Sequence, residues 1–286
     1  MFKKTMKKLM CGVLAVVGTV ACAGTFTACE SSHPKVEMEI EFNGTTYELE
    51  YKLYRKIAPA TVEHFLALAE NGYYDGLCVH DYDDDKLYTG AYKYESENLV
   101  YQKYYDIVKG YENFPQSVWT DEDKTNPTYT LYGEFYANAD FTVENGAKKQ
   151  EFGSLTMYYT DKETDDYQVV VERHNGEGIA HRDYQENCAT SLFFISMSDT
   201  SKSDSNYCTF ATLDEDSVDT LKDLRTAIEE YIEDNYGEED DPEEAFAPET
   251  ETEVDGDDPF VDEATTEKYN VPKSAIVIKK VSVKKY

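Results

Sequence analysis

A mainly β domain carrying two helices is what this sequence predicts, and three observations lead there. Residues 36–42 (VEMEIEF) alternate apolar and acidic side chains ahead of an Asn43-Gly44 pair, the pattern of a half-buried strand entering a tight hairpin. Residues 192–197 (LFFISM) are apolar but for Ser196 and do not alternate, as in a strand covered on both faces. Helical spacing of apolar residues occurs in two long stretches, 59–69 and 216–234.

Taken in order, Val36–Phe42 and Tyr47–Tyr54 form the first hairpin. Pro59 suits the first turn of a helix whose apolar face is Val62, Phe65, Leu66, Leu68 and Ala69, and Asn71 or Gly72 takes the left-handed cap. Asp83-Asp84-Asp85 interrupts the next segment, and residues 113–127 read as loop within a tyrosine-rich stretch. Strands follow at 129–135 (YTLYGEF) and 153–159 (GSLTMYY), with a turn at Glu144-Asn145-Gly146 between them. Val169–Glu172 makes a short extra strand, and Tyr207–Thr212 neighbours the apolar run. Val218, Leu221, Leu224, Ile228 and Ile232 mark the second helix. Residues 242–263 contain no lysine or arginine and too few apolar groups to offset the entropy of ordering, so an acidic disordered loop is expected near 237–268. Residues 275–283 (AIVIKKVSV) then return to strand pattern and close the sheet.

The N-terminus reads as an address, not as fold. Lys3, Lys4, Lys7 and Lys8 precede an apolar run from Cys11 to Ala23 too short to span a bilayer. Residues 26–29 (FTAC) resemble a bacterial lipobox, which implies a signal peptide over 1–28, lipid on Cys29 and a polar tether over 29–35. An ordinary secretory signal is the alternative. The chain is thus expected outside the cytoplasm, lipid-anchored to the bacterial cell membrane. Its formal net charge of −31 excludes nucleic acid as a partner. Cys78, Cys188 and Cys208 show no zinc spacing and sit in apolar runs, so they read as buried thiols before disulfide partners. Asp83–Asp85 and Asp255–Asp258 lack the spaced ligands of a Ca²⁺ loop and read as solvated turns. No phosphate loop, HExxH or nucleophile elbow occurs; neither cofactor nor metal is expected. The 25 tyrosines offer a recognition surface or, as the simpler reading, amphipathic strand residues with wet hydroxyls.

Four blocks carry a family resemblance: APATVEHF at 58–65, YYDGLCVH at 73–80, GEF at 133–135 with GSLTM at 153–157, and ATSLFFIS at 189–196. Together they resemble the cyclophilin-type peptidyl-prolyl isomerases. The resemblance implies a closed eight-stranded antiparallel barrel with two capping helices over 36–286, and inserted loops near 91–130 and 160–187. It also implies catalysis of rotation about the bond before proline, whose barrier is about 18–20 kcal/mol because the nitrogen lone pair is delocalised. In that family an arginine follows the histidine and donates N–H groups; here the position is Asp81, and an ionised carboxylate only accepts. Carried over by position, the substrate-binding set is Leu87, Thr89, Met157, Tyr158, Leu192, Phe194 and Tyr207. Arg182, in the second insertion, stands as a guanidinium from a new direction. The expectation is a monomer acting on proline-containing segments of secreted or envelope proteins with weak or no isomerase activity. A non-catalytic, chaperone-like binder and a structural envelope lipoprotein are the alternatives.

Overall fold

The computed structural model describes residues 31–135, 148–158, 167–173, 178–184, 188–203, 206–254 and 265–286. The expected leader, Cys29, the 144–146 turn and Asp255–Asp258 lie outside the described residues. Nine strands make the main sheet: β1 (Lys35–Phe42), β2 (Thr45–Leu53), β3 (Leu77–Cys78), β4 (Asp81–Asp83), β5 (Lys86–Thr89), β6 (Leu155–Met157), β7 (Phe193–Ser196), β8 (Cys208–Leu213) and β9 (Val277–Lys285). Their order is β3-β9-β1-β2-β8-β6-β7-β5-β4, every described pair antiparallel. The sequence's closed eight-stranded barrel is corrected to a curled nine-stranded sheet. Its two edges, β3 and β4, are consecutive pieces of one segment. Val79 N–H donates to Ile276 O at 2.9 Å and His80 N–H to Tyr88 O at 3.0 Å, so the chain switches partners there and joins the edges covalently.

The first hairpin turns at Asn43 and Gly44 with φ of 51° and 76°, the left-handed pair that matches strand twist. Helix α1 (Pro59–Glu70) stops where Gly72 takes φ 67°. Its Phe65 sits 5.0 Å from Tyr74, 5.6 Å from Phe193 and 5.0 Å from Phe210, ring centre to ring centre, which locks the helix onto the sheet's inner face. Helix α3 (Val218–Tyr236) buries Leu221, Leu224, Ile228 and Ile232, the stripe its spacing predicts.

The two insertions meet each other. The first carries a hairpin, Tyr92–Glu95 with Asn98–Tyr101, and a short helix α2 (Tyr104–Val108). Val118–Trp119 from this insertion pairs with Gln168–Glu172 from the second, which pairs in turn with Ile179–Asp183. Val118, Tyr132, Val169, Val171, Ala180, Tyr184 and Cys188 form a second small core there. Tyrosines are less wet than expected: Tyr51, Tyr73, Tyr74, Tyr92, Tyr104 and Tyr184 are fully buried. Cys78, Cys188 and Cys208 are buried, as the sequence suggested.

The acidic stretch is also corrected, for its described part. Pro242–Phe246 is a helix, α4, started by the Asp241 carboxylate accepting the Glu244 N–H, and Glu249–Val254 pairs with Thr265–Asn270 as a hairpin. Two anchors explain why composition misled. Phe246 is 0% exposed against Phe42, Tyr82, Tyr231 and Tyr236. Tyr269 packs onto His80 and Tyr92.

Candidate functional site

Cross-strand partners share a face of a sheet, so register decides which residues face the core. β5 meets β7 with Thr89 opposite Phe193, Tyr88 opposite Phe194, Leu87 opposite Ile195 and Lys86 opposite Ser196. β4 meets β5 with Asp81 opposite Tyr88 and Tyr82 opposite Leu87. Leu87, Phe193 and Ile195 belong to the main core, and Met157, opposite Phe193, lies there too. Lys86, Tyr88, Phe194 and Asp81 therefore occupy the other face. Leu87, Thr89 and Met157 are not surface groups: each is 0% exposed, and Thr89 Oγ1 donates to Cys78 O at 2.8 Å. The positional reading put Leu87 and Thr89 one residue out of phase. The pairing of β5 with β7 places Tyr88, not Leu87, beside Phe194.

The outer face is an aromatic patch. Phe194 lies 5.3 Å from Tyr88 and 5.9 Å from Tyr207, and Tyr158 meets Tyr88 edge-on at 5.9 Å. Lys86 Nζ sits 5.2 Å from the Phe194 centroid and 5.7 Å from that of Tyr88, and donates to Tyr88 Oη at 3.2 Å. These neighbours leave Phe194 1% exposed, while Tyr158 is 39% exposed at the rim. The structure thus brings Phe194, Tyr158, Tyr207 and Asp81 together. Leu192 is half-buried beside Tyr92 and Tyr269, in the satellite cluster around Cys78. Gly90 is required where β5 ends: at φ 109° a Cβ would lie 2.2 Å from Ser191 O. Arg182 stands on the insertion sheet opposite Val169, donating to His181 O at 2.9 Å, and is not on the face of the patch.

Asp81 has a partner of its own. Its Oδ1 accepts the Asn270 N–H at 2.8 Å, which fastens the acidic hairpin to the sheet edge. Burial raises the Asp81 carboxyl above its ordinary range; the Asn270 N–H opposes that rise and nearby Asp83 adds to it. His80, next in the chain, is enclosed by Tyr92 and Tyr269 with each ring centre 4.9 Å away, and burial lowers its pKa to about 3. It is a neutral spacer at physiological pH.

One carboxylate the sequence reading passed over is Glu134, in the GEF block. It accepts the Ala60 N–H at 3.1 Å, the Thr61 N–H at 2.8 Å and the Thr61 hydroxyl at 2.8 Å, capping α1 where Ala58 supplies no side-chain acceptor. Burial raises its pKa to about 7 against those three donors. A cavity of 660 Å³ opens elsewhere, between the Asp83–Asp85 turn, α3 and α4, walled by Asp84, Asp85, Glu229 and Glu243. Among the described residues no cluster has the makings of a metal site.

Comparison with known proteins agrees with the four blocks. The family model for the cyclophilin type peptidyl-prolyl cis-trans isomerase/CLD matches residues 36–244, more than half of the chain. A Staphylococcus aureus (strain USA300) protein, named provisionally as a peptidyl-prolyl cis-trans isomerase, is 37% identical over 55 residues, 19% of this chain and 28% of that protein. A Staphylococcus haemolyticus (strain JCSC1435) protein of the same provisional name matches over the same shares. The chain therefore aligns with little more than a quarter of those relatives' length. Among solved structures, a Cryptosporidium parvum cyclophilin type isomerase has a TM-score of 0.44 at 15% identity, covering 89% of this chain and 99% of its own. The Mimivirus cyclophilin has a TM-score of 0.40 at 15% identity, covering 89% and 90%.

Proposed function

This chain belongs to the cyclophilin-type peptidyl-prolyl cis-trans isomerase family, and from that premise we propose that it binds proline-containing segments on the Phe194 patch and isomerises them slowly. The observation that carries the reading is Asp81. It takes the position where the family resemblance expects an arginine, on the same face as Tyr88 and Phe194, and its carboxylate already accepts the Asn270 N–H. A carboxylate offers no N–H to the proline nitrogen, so the guanidinium's share of the rate is missing. The clients are secreted or envelope proteins, met at the membrane to which lipid on Cys29 ties the chain.

The test is exchange spectroscopy on a short Ala-Pro peptide titrated with the full chain. Shifts at Tyr88, Phe194 and Tyr207 are expected, with faster cis–trans exchange that stays far below that of a family member bearing arginine. Exchange as fast as such a member's refutes slow turnover, and no shifts at all refute the binding site and favour a purely structural lipoprotein. Shifts without any acceleration leave a non-catalytic binder. Lipidation is tested separately: labelled palmitate is incorporated by the wild type and not by Cys29→Ser.

A further inference from the structure

We propose that Lys86 is the N–H donor to the proline nitrogen at the Phe194 patch. The inference rests on the reading above and adds the group that supplies its slow turnover.

Lys86 is two residues from Tyr88 on the same strand and so projects from the same face. Its ammonium already lies over the ring where an incoming pyrrolidine would rest, 5.2 Å from the Phe194 centroid. Its hydrogen bond to Tyr88 Oη is to a neutral group, and among the described residues Lys86 makes no ion pair. Some other cations of this acidic chain are engaged by carboxylates, Lys202 by Asp85 at 3.4 Å, Arg225 by Asp199 at 3.2 Å and Lys35 by Asp214 at 2.9 Å, whereas Asp85 feels the charge of Lys86 without pairing with it. Lys86 thus keeps N–H groups for a neutral acceptor. Asp81 and Asp83 stand close enough to act on the Tyr88 phenol, a field that disfavours an anionic ligand and tolerates an amide.

Phe194 is sealed partly by the Lys86 side chain itself, whose stem is flexible and covers apolar surface. A proline ring displaces that stem sideways. At a ring separation of about 4.5–7 Å the pyrrolidine nitrogen then lies beside the ammonium. One N–H points at the nitrogen, localises its lone pair and weakens the C–N double-bond character as the bond twists. No covalent bond forms or breaks, and the proton stays on Nζ. A single ammonium lacks the planar fork of a guanidinium, which is why the turnover is slow.

The experiment compares the full-length wild type with Lys86→Met and Lys86→Arg on Ala-Ala-Pro-Phe amide, reading the dissociation constant by shift titration and cis–trans exchange at saturation. Lys86→Met keeps the stem's length and apolar character, so the dissociation constant is expected to hold or tighten while exchange falls by about tenfold or more. Lys86→Arg restores N–H groups and exchange. Lys86→Met exchanging as fast as the wild type, or wild type that binds without accelerating, or an arginine variant as slow as the methionine one, overturns Lys86 as donor and leaves the binding site standing. Failure of the wild type to bind is read from the titration alone and overturns the proposed function itself, and Lys86 with it.

Discussion

Glu134 and Asp81 do the same thing at two places and with different consequences. Each is a carboxylate accepting backbone N–H groups from a distant segment, so each ties two parts of the chain together. Glu134 is fully buried and takes three donors at the start of α1. Asp81 sits at a sheet edge, takes one described donor from Asn270, and shares its face with the aromatic patch. The lesson is that a carboxyl group deep in the fold fixes the start of a helix, whereas the same group at the edge fastens a surface hairpin.

The largest break in the comparison comes from Glu134→Ala. It strands the Ala60 and Thr61 N–H groups and the Thr61 hydroxyl, and each buried donor left alone costs about 1–3 kcal/mol. A loss of about 3 kcal/mol or more in urea unfolding is expected, with α1 the first element to lose amide protection.

Next comes pH. Folded Glu134 titrates near 7 against an ordinary value of 4.5, so across that window the folded chain holds a proton that the unfolded chain has released. Stability from this group is therefore complete below about 4.5, falls as pH climbs to about 7 and is flat beyond, a total of roughly 3 kcal/mol. Glu134→Gln should remove that slope. An unchanged slope in the variant would assign the pH dependence to other groups.

Asp81→Ala is the smaller effect. Its partner amide lies at the surface and water replaces the carboxylate, so global stability should fall by only about 1 kcal/mol. The informative signal is local. Amide exchange at Asn270 and Tyr269 should accelerate by far more than at β1 or β2, because the hairpin opens without the sheet. Equal acceleration everywhere would mean that the hairpin and sheet unfold as one.

Legibility in the sequence followed the range of the interaction. The Asn43-Gly44 hairpin, α1, the 192–197 strand and α3 are written in local spacing and were readable. The sheet joining Val118–Trp119 to Val170 and Val171 depends on pairing across some fifty residues, which no local pattern carries. Which of Leu87 and Tyr88 faces Phe194 depends on the pairing of β5 with the distant β7, and with a period of two a shift of one residue reverses the face. The acidic segment was misjudged because averages dilute Phe246 and Tyr269, the two rings that hold it. Phe194, Tyr158 and Tyr207 follow by position from the family resemblance, whereas the place of Lys86 and Tyr88 beside them shows only in the register and that of Glu134 only in its partners.

The finest test sets Asp81→Asn against Asp81→Arg. Asparagine keeps a carbonyl oxygen for the Asn270 N–H and sheds a charge that Asp83 and burial already disfavour, so stability should change by less than about 0.5 kcal/mol, with hairpin protection retained. Arginine restores the residue type the family resemblance expects, yet it accepts no hydrogen bond and must leave Asn270 unpartnered. Its guanidinium also meets the hairpin that Asp81 fastened at the sheet edge. Exchange of an X-Pro peptide by Asp81→Arg should therefore remain near the wild-type rate while Asn270 loses protection. A large gain in rate would show that the hairpin yields readily, and that the carboxylate alone had kept this surface from fast turnover.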